Sequence, residues 1–351
     1  MNILPGLALA LLLALGGEQL SQLIGVTWMG MPKSPVSGIM MAILLGILVR
    51  NSAGLKSLFE PGVEFGLKRV LRLGIVLLGI RLSLGEVGAI GLQSLPVIIG
   101  AVGSALLIVT YLSRKLGLSR RLGTLLAVGT SICGATAIVA TAPTINAREN
   151  ETSYAIACVT LFGVIAMLSY PFAAHWLFDA DAFPIGLFLG TSVHETAQVA
   201  GAGLVYQQFY DSPEALNVAT VAKLVRNLGM LVVIPLMCIV YHRGSGEGEA
   251  PPKWWTMIPL FVIGFALMSL VRTVGDMGDA AFGVLSHEHW AWFVGLTKQA
   301  AEICLAVAMA SVGLCTNIRD LVSIGLKPLA MGLVAALLVG AVSASLITLL
   351  Y

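Results

Sequence analysis

Charge is what this sequence has least of. Only 11% of its 351 residues are Asp, Glu, Lys or Arg while 58% are hydrophobic, whereas soluble domains carry about a quarter charged residues. A soluble fold of ordinary composition is therefore excluded. The net charge is only +2, and no basic cluster offers a surface for nucleic acid. Period-two alternation, the mark of a membrane β-barrel, is also missing; long apolar runs and 39 glycines fit a helical bundle instead. Cysteine is sparse and unpaired in pattern. Cys133, Cys158, Cys238, Cys304 and Cys315 lie inside apolar stretches without CxxC or CxxH spacing. They read as small packing residues, so neither a metal nor another cofactor is expected. No basic region precedes the apolar run from Ile3 to Leu15, which makes it a retained first span rather than a signal peptide.

What is present is a series of apolar segments long enough to cross a bilayer, about 20 residues each. Eleven are expected, at about 3–25, 35–49, 67–84, 90–112, 122–145, 153–177, 184–205, 215–241, 255–272, 293–315 and 326–350. The fold class expected is thus an all-α polytopic membrane protein, a single transmembrane domain over 1–351. Arg50, Lys56, Lys68 and Arg69 fall between spans two and three, and Arg114, Lys115, Arg120 and Arg121 between four and five. Arg243 and Lys253 follow span eight, and Arg319 and Lys327 follow span ten. Because positive loops stay cytoplasmic, the N-terminus is placed inside and the C-terminus outside. The loop with Asp179 and Asp181 fits this least well, since it carries no positive charge. Opposite loops hold scattered positives such as Lys33, Arg148 and Arg272 beside Asp211, Glu214, Asp276 and Asp279.

The segment 242–252 is rich in Gly and Pro and reads as a flexible cytoplasmic linker. From Thr273 to Trp292 an external loop is expected to end in an aromatic belt at Trp290 and Trp292. Two internal echoes suggest repeats. Gly79-Ile80-Arg81-Leu82-Ser83-Leu84-Gly85-Glu86 resembles Gly313-Leu314-Cys315-Thr316-Asn317-Ile318-Arg319-Asp320, and Gly129-Thr130-Ser131-Ile132-Cys133-Gly134 resembles Gly190-Thr191-Ser192-Val193-His194-Glu195. The first echo has the inverted sense and the second the parallel sense, so the register stays open. Two five-helix halves, 35–177 and 184–351, after an extra helix in 1–34, form the natural division.

Polar residues inside these spans are costly and mark candidate sites. The densest stretch is Gly190 to Gly201, where His194, Glu195 and Gln198 stand in small, apolar surroundings. His194 and Gln198 share a helix face with Glu195 one step round, and the pair His194 and Glu195 is suited to carrying a proton. The spacing approaches the zinc-protease pattern, but Gln198 replaces its second histidine, so no metal site is expected. A hydrogen-bonded lock between helices is the plainer alternative. Thr130, Ser131, Gly134 and Ser192, with Thr191, loosen their helices; exposed N–H groups there would suit an oxyanion, and close packing of small residues would equally explain them.

Span eight adds Lys223, Arg226 and Asn227 on one face. Two intramembrane cations need partners, and Glu195 or a bound anion are the expected ones; Lys223 could instead snorkel to the interface. A single intramembrane acid against two cations favours an anionic solute with oxygens for Arg226. Arg81 is a possible third cation, and Thr316 and Asn317 are possible additional contacts or simple caps.

These residues are similar to those of the YeiH family of bacterial inner-membrane proteins, named as sulfate exporters. The resemblance is carried by Leu71-Arg72-Leu73-Gly74-Ile75, Gly79-Ile80-Arg81-Leu82, Gly129 to Ala135, Gly190 to Ala200, Lys223-Leu224-Val225-Arg226 and Ala308 to Leu314, and extends over nearly the whole chain. Thr196 departs from the valine usual there. The resemblance implies membership of the wider cation/proton antiporter and anion transporter group, with inverted five-helix repeats, broken crossing helices and a core that moves against a scaffold. The expectation is a secondary transporter of sulfate, sulfite or an organic sulfonate, coupled to protons through Glu195 and His194. It would act in the inner membrane, where a homodimer is the assembly considered. A sodium or other cation/proton antiporter is the alternative. An intramembrane enzyme is ranked last, because no nucleophile has an evident base.

Overall fold

The computed structural model describes residues 2–29, 34, 37–242, 258–277, 280–317 and 326–351. Most of the linker at 242–252 lies outside them, as do Lys33, Arg243, Lys253, Asp279 and the stretch 318–325 with Arg319 and Asp320. The described chain is helical, with no β-strand among the described residues. In order, its helices are α1 Leu4–Gln22, α2 Gly38–Ser52, α3 Glu60–Phe65, α4 Leu71–Leu78, α5 Leu84–Ser104 and α6 Thr110–Lys115. There follow α7 Arg120–Ser131, α8 Ala135–Thr141, α9 Glu149–Leu177, α10 Ala182–Ser192, α11 Thr196–Tyr210 and α12 Pro213–Leu228. The last are α13 Met230–His242, α14 Leu260–Gly275, α15 His287–Cys315 and α16 Leu326–Leu350.

Among the described residues, six helical stretches are long and apolar enough to cross a membrane: Leu4–Trp28, Leu84–Lys115, Glu149–Leu177, Pro213–Tyr241, His287–Cys315 and Leu326–Leu350. Gly38–Ser52, Ala182–Ser192 and Leu260–Gly275 are apolar but shorter. The expected spans 122–145 and 184–205 are not continuous helices. Each is interrupted just after its Gly-Thr-Ser stretch, and the interruptions build the polar site described below.

The chain divides into two compact units that each draw on both halves of the sequence. The first holds Met1–Ile90, Leu204–Asn217 and Leu260–Ile318. Its centre is α15, which packs on α1, α2 and α4. Small residues permit this. A Cβ on Gly46 of α2 would stand 2.7 Å from the Ala310 carbonyl of α15, and one on Gly313 would strike the α2 backbone, so the two helices meet backbone to backbone.

The second unit holds Gly91–Gly203, Val218–Pro259 and Arg319–Tyr351. Here α9 packs on α7, α10 and α16, around an apolar cluster that includes Val109, Leu125, Leu126, Ile138, Val159 and Met331. Every residue of α7 from Leu122 to Ser131 is buried, as is α10 from Pro184 to Ser192. Both helices thus run through the interior to the breaks at their C-terminal ends.

Candidate functional site

α7 stops at Ser131 because the backbone turns. Ile132 takes φ −121° and ψ −91°, and Gly134 takes φ 69° and ψ −129°, a conformation that essentially only glycine adopts. α8 restarts at Ala135. α10 stops at Ser192 when Val193 extends to φ −76° and ψ 139°, and α11 restarts at Thr196. Gln198 closes this restart by accepting from the Glu195 amide at 3.1 Å, half of a capping box, while its own Nε2 donates to the Thr160 carbonyl of α9 at 3.1 Å.

Two broken helices leave carbonyls without helical partners, each end carrying about half a negative charge. α12 supplies the compensation. Lys223 Nζ donates to the carbonyls of Ile132 (2.8 Å), Val193 (3.1 Å) and His194. Arg226 donates through Nε to Ser131 O (2.7 Å), through Nη1 to Thr191 O (2.8 Å) and Val193 O (3.1 Å), and through Nη2 to Thr130 O. Both side chains are fully buried. The two breaks therefore meet over one pair of cations, three residues apart on a single helix face.

That arrangement corrects the expectation that Glu195 partners the two cations. Among the described residues Glu195 makes no ion pair. Its Oε1 accepts from the Thr160 hydroxyl at 3.0 Å, and the side chain lies against Gly134 at the start of α8. Opposite charges thus sit on opposite helix ends, cations on the carbonyl ends of α7 and α10 and the carboxylate on the amide end of α8. The carbonyls win the cations because they converge on them at the breaks, and Lys223 has no N–H left for an anion.

The hydroxyls expected at the site are likewise occupied. Thr130 Oγ1 bonds back to Leu126 O at 2.7 Å, Ser131 Oγ to Val128 O at 3.0 Å, Thr191 Oγ1 to Leu187 O at 2.7 Å and Ser192 Oγ to Phe188 O at 2.5 Å. Two groups remain unsatisfied. Among the described residues, both ring nitrogens of His194 and the Oδ1 of Asn227 are buried without a hydrogen-bond partner, although Asn227 Nδ2 donates to Thr196 Oγ1 at 3.2 Å. Glu195 and Thr196 are the part-exposed residues in this otherwise buried stretch, with Thr160 part-exposed on α9 and Thr136 exposed on α8. They form the less buried side of the site.

Thr130, Ser131, Gly134, Ser192, His194, Glu195, Gln198, Lys223, Arg226 and Asn227 all belong to the second unit. Arg81, Thr316 and Asn317 belong to the first. Thr316 follows the end of α15, where its hydroxyl bonds to Val312 O at 2.8 Å and its carbonyl accepts from Asn51 Nδ2 at 2.9 Å, a capping role. Thr160 was not expected; its only signal is a hydroxyl within the apolar run from Ala155 to Met167. Glu302 was not expected either. It lies in the middle of α15 and pairs with Arg81 at 2.5 Å, so the first unit holds an intramembrane acid of its own.

Interrupted helices held by buried charges, in a chain with six span-length apolar helices, define a polytopic helical membrane protein with a polar intramembrane centre. The family model of Conserved hypothetical protein 698 matches residues 5–332, and the chain belongs to that family, also named UPF0324. It is 31% identical over 341 residues to a UPF0324 membrane protein of Fusobacterium nucleatum, covering 94% of this chain and 93% of that protein. A UPF0324 membrane protein of Streptococcus agalactiae is 31% identical over 329 residues, covering 94% and 92%. The UPF0324 inner membrane protein YeiH of Salmonella typhi is 30% identical over 344 residues, covering 95% and 90%.

Proposed function

We propose that the protein is a secondary transporter of a small oxyanion, sulfate, sulfite or an organic sulfonate, coupled to protons through Glu195. The observation that carries this reading is the pair of breaks in the second unit, where a part-exposed carboxylate adjoins buried, unsatisfied hydrogen-bonding groups. Broken helices beside ionisable groups are the usual form of transporter sites. The anion is held by hydrogen bonds from His194, Asn227 and Thr196, beside the breaks that follow Ser131 and Ser192 and turn at Gly134. Lys223 and Arg226 contribute their field while their donors hold the breaks together. Asn227 suits this role, because exchanging its amide O and N would leave the NH2 to donate to a solute and the oxygen to accept from Thr196.

The proposal includes eleven crossings, two inverted five-helix repeats at 35–177 and 184–351, and a bacterial inner-membrane location with the N-terminus cytoplasmic. Units that each combine segments from both halves support the repeats. One observation favours a second reading, a cation/proton antiporter. With Lys223 and Arg226 spent on carbonyls, Glu195, the Thr160 and Thr196 hydroxyls and Asn227 Oδ1 make an all-oxygen set suited to a hard cation.

Flux into proteoliposomes separates the two. Labelled sulfate or sulfite uptake that follows an imposed pH gradient and is lost in His194→Ala supports the anion reading. Sodium-driven proton movement that needs Glu195, without anion flux, replaces it with the antiporter.

A further inference from the structure

The first unit holds a second set of charges in membrane-spanning helices, which the site above does not use. Arg81 follows α4 at the end of a short helical turn, Gly79–Arg81. Its side chain is only 6% exposed. Nη2 donates to Glu302 Oε1 at 2.5 Å and Nη1 to Gln207 Oε1 at 3.0 Å, while Gln207 Nε2 donates to the same Glu302 oxygen at 3.2 Å. Three side chains from three helical segments thus close one ring. The Nε of Arg81 is buried with no partner. Lys298 lies one turn before Glu302 on α15, within the electrostatic reach of Arg81 and Glu302. The neighbouring Arg272 and Asp276 cancel each other, paired at 2.5 Å with Trp290 Nε1 also donating to Asp276 at 2.8 Å. The sum over Arg81, Lys298 and Glu302 is therefore one positive charge.

We propose that this cluster is an anion site, distinct from the one at the helix breaks, in which the Glu302 carboxylate occupies the place of a small oxyanion. The fork of a guanidinium matches the paired oxygens of a carboxylate or an oxyanion alike. In the structure that fork faces Gln207 and a single oxygen of Glu302, and one buried N–H goes unused. An oxyanion offers three or four oxygens where Glu302 offers one, so it satisfies the Arg81 fork, the Gln207 amide and the Lys298 ammonium together. Glu302 is free to leave because its side chain is 43% exposed. The route does not run through the 420 Å³ cavity on the other side of Gln207, since Glu18 and Asp211 line it and repel anions; it runs along the exposed side of Glu302. The internal carboxylate also sets a selectivity, because the site admits an anion only when Glu302 swings out.

Titration calorimetry of the full chain in detergent, with sulfate and with sulfite as probes, tests this. Glu302→Gln removes the competing charge while keeping a hydrogen-bonding side chain, and is expected to bind the anion about tenfold tighter. The double variant Arg81→Gln/Glu302→Gln leaves no unpaired buried charge and is expected to lose that gain, and Lys298→Met to weaken binding severalfold. Unchanged affinity in Glu302→Gln, or a gain that survives in the double variant, overturns the proposal. His194→Ala, which removes a side chain of the other site, leaves the Glu302→Gln gain intact if the two sites are distinct and abolishes it if they are not.

Discussion

At the scale of single residues, the division of labour among the buried polar groups is sharper than their types suggest. Lys223 and Arg226 hold backbone, Gln198 holds a helix start, and Glu195 and His194 are left for chemistry. Arg226 spans four carbonyls on two helix ends through a planar fork, a pattern that three ammonium hydrogens on a flexible stem cannot reproduce. Arg226→Lys is therefore expected to cost about 3 kcal/mol, read as a lower midpoint of unfolding in detergent; an unchanged midpoint contradicts the assignment. Gln198 is exacting in a different way. Its amide serves the Glu195 N–H and the Thr160 carbonyl at once, and it packs so closely on Gly163 that a Cβ there would stand 2.7 Å from Nε2. Gln198→Leu leaves both backbone groups unpaired and is expected to destabilise by about 2–4 kcal/mol, and Gly163→Ala to disturb Glu195-dependent function by displacing the same amide. Little of this was legible beforehand. The sequence marks Lys223 and Arg226 as buried cations, but their partners are carbonyls, which every residue has, and only the position of a helix break selects them.

At the scale of elements, the breaks were announced by composition while their consequence was not. Gly-Thr-Ser at 129–131 and 190–192 signals a weak place in a span, and both helices do end there. Expectation centred on the amide ends that follow each break as a home for an anion, yet the structure gives one of them to Glu195. Gly134 is the residue on which α7 and α8 turn. With φ at 69° and a Cβ directed at Glu195, Gly134→Ala combines backbone strain with a clash and is expected to cost at least about 1–2 kcal/mol. The signature would be loss of transport with α-helical content retained, and a fully active variant would contradict a fixed break. In the first unit the contact of α2 with α15 makes an equally local demand. Gly313→Leu is expected to separate those helices and lower the unfolding midpoint, whereas the same change at Gly295, where a Cβ meets nothing within 4 Å, is expected to be silent. Glu302 escaped notice because one acid in the 29-residue helix α15 barely alters its hydropathy; what marks it is its partner Arg81, which the sequence places 221 positions away.

At the scale of the whole molecule, the long apolar helices and the relatives named as membrane proteins agree on where the chain resides. Composition alone sufficed for that, because 58% hydrophobic residues leave too little polar surface for a soluble fold. The division into two interleaved units was beyond the sequence, since it depends on contacts between distant segments such as 204–217 and 1–90. The function proposed for the molecule follows from charge placement: a part-exposed carboxylate lies beside a site whose cations are fixed in place. The measurement that reaches this claim most directly is proton movement during an anion pulse. Proteoliposomes holding a pH-sensitive dye are given sulfite or sulfate, and wild type is compared with Glu195→Gln. The account predicts a change of internal pH in step with anion entry in wild type, and anion entry without that change, or no entry, in Glu195→Gln. Internal pH changes of equal size in both proteins would contradict it.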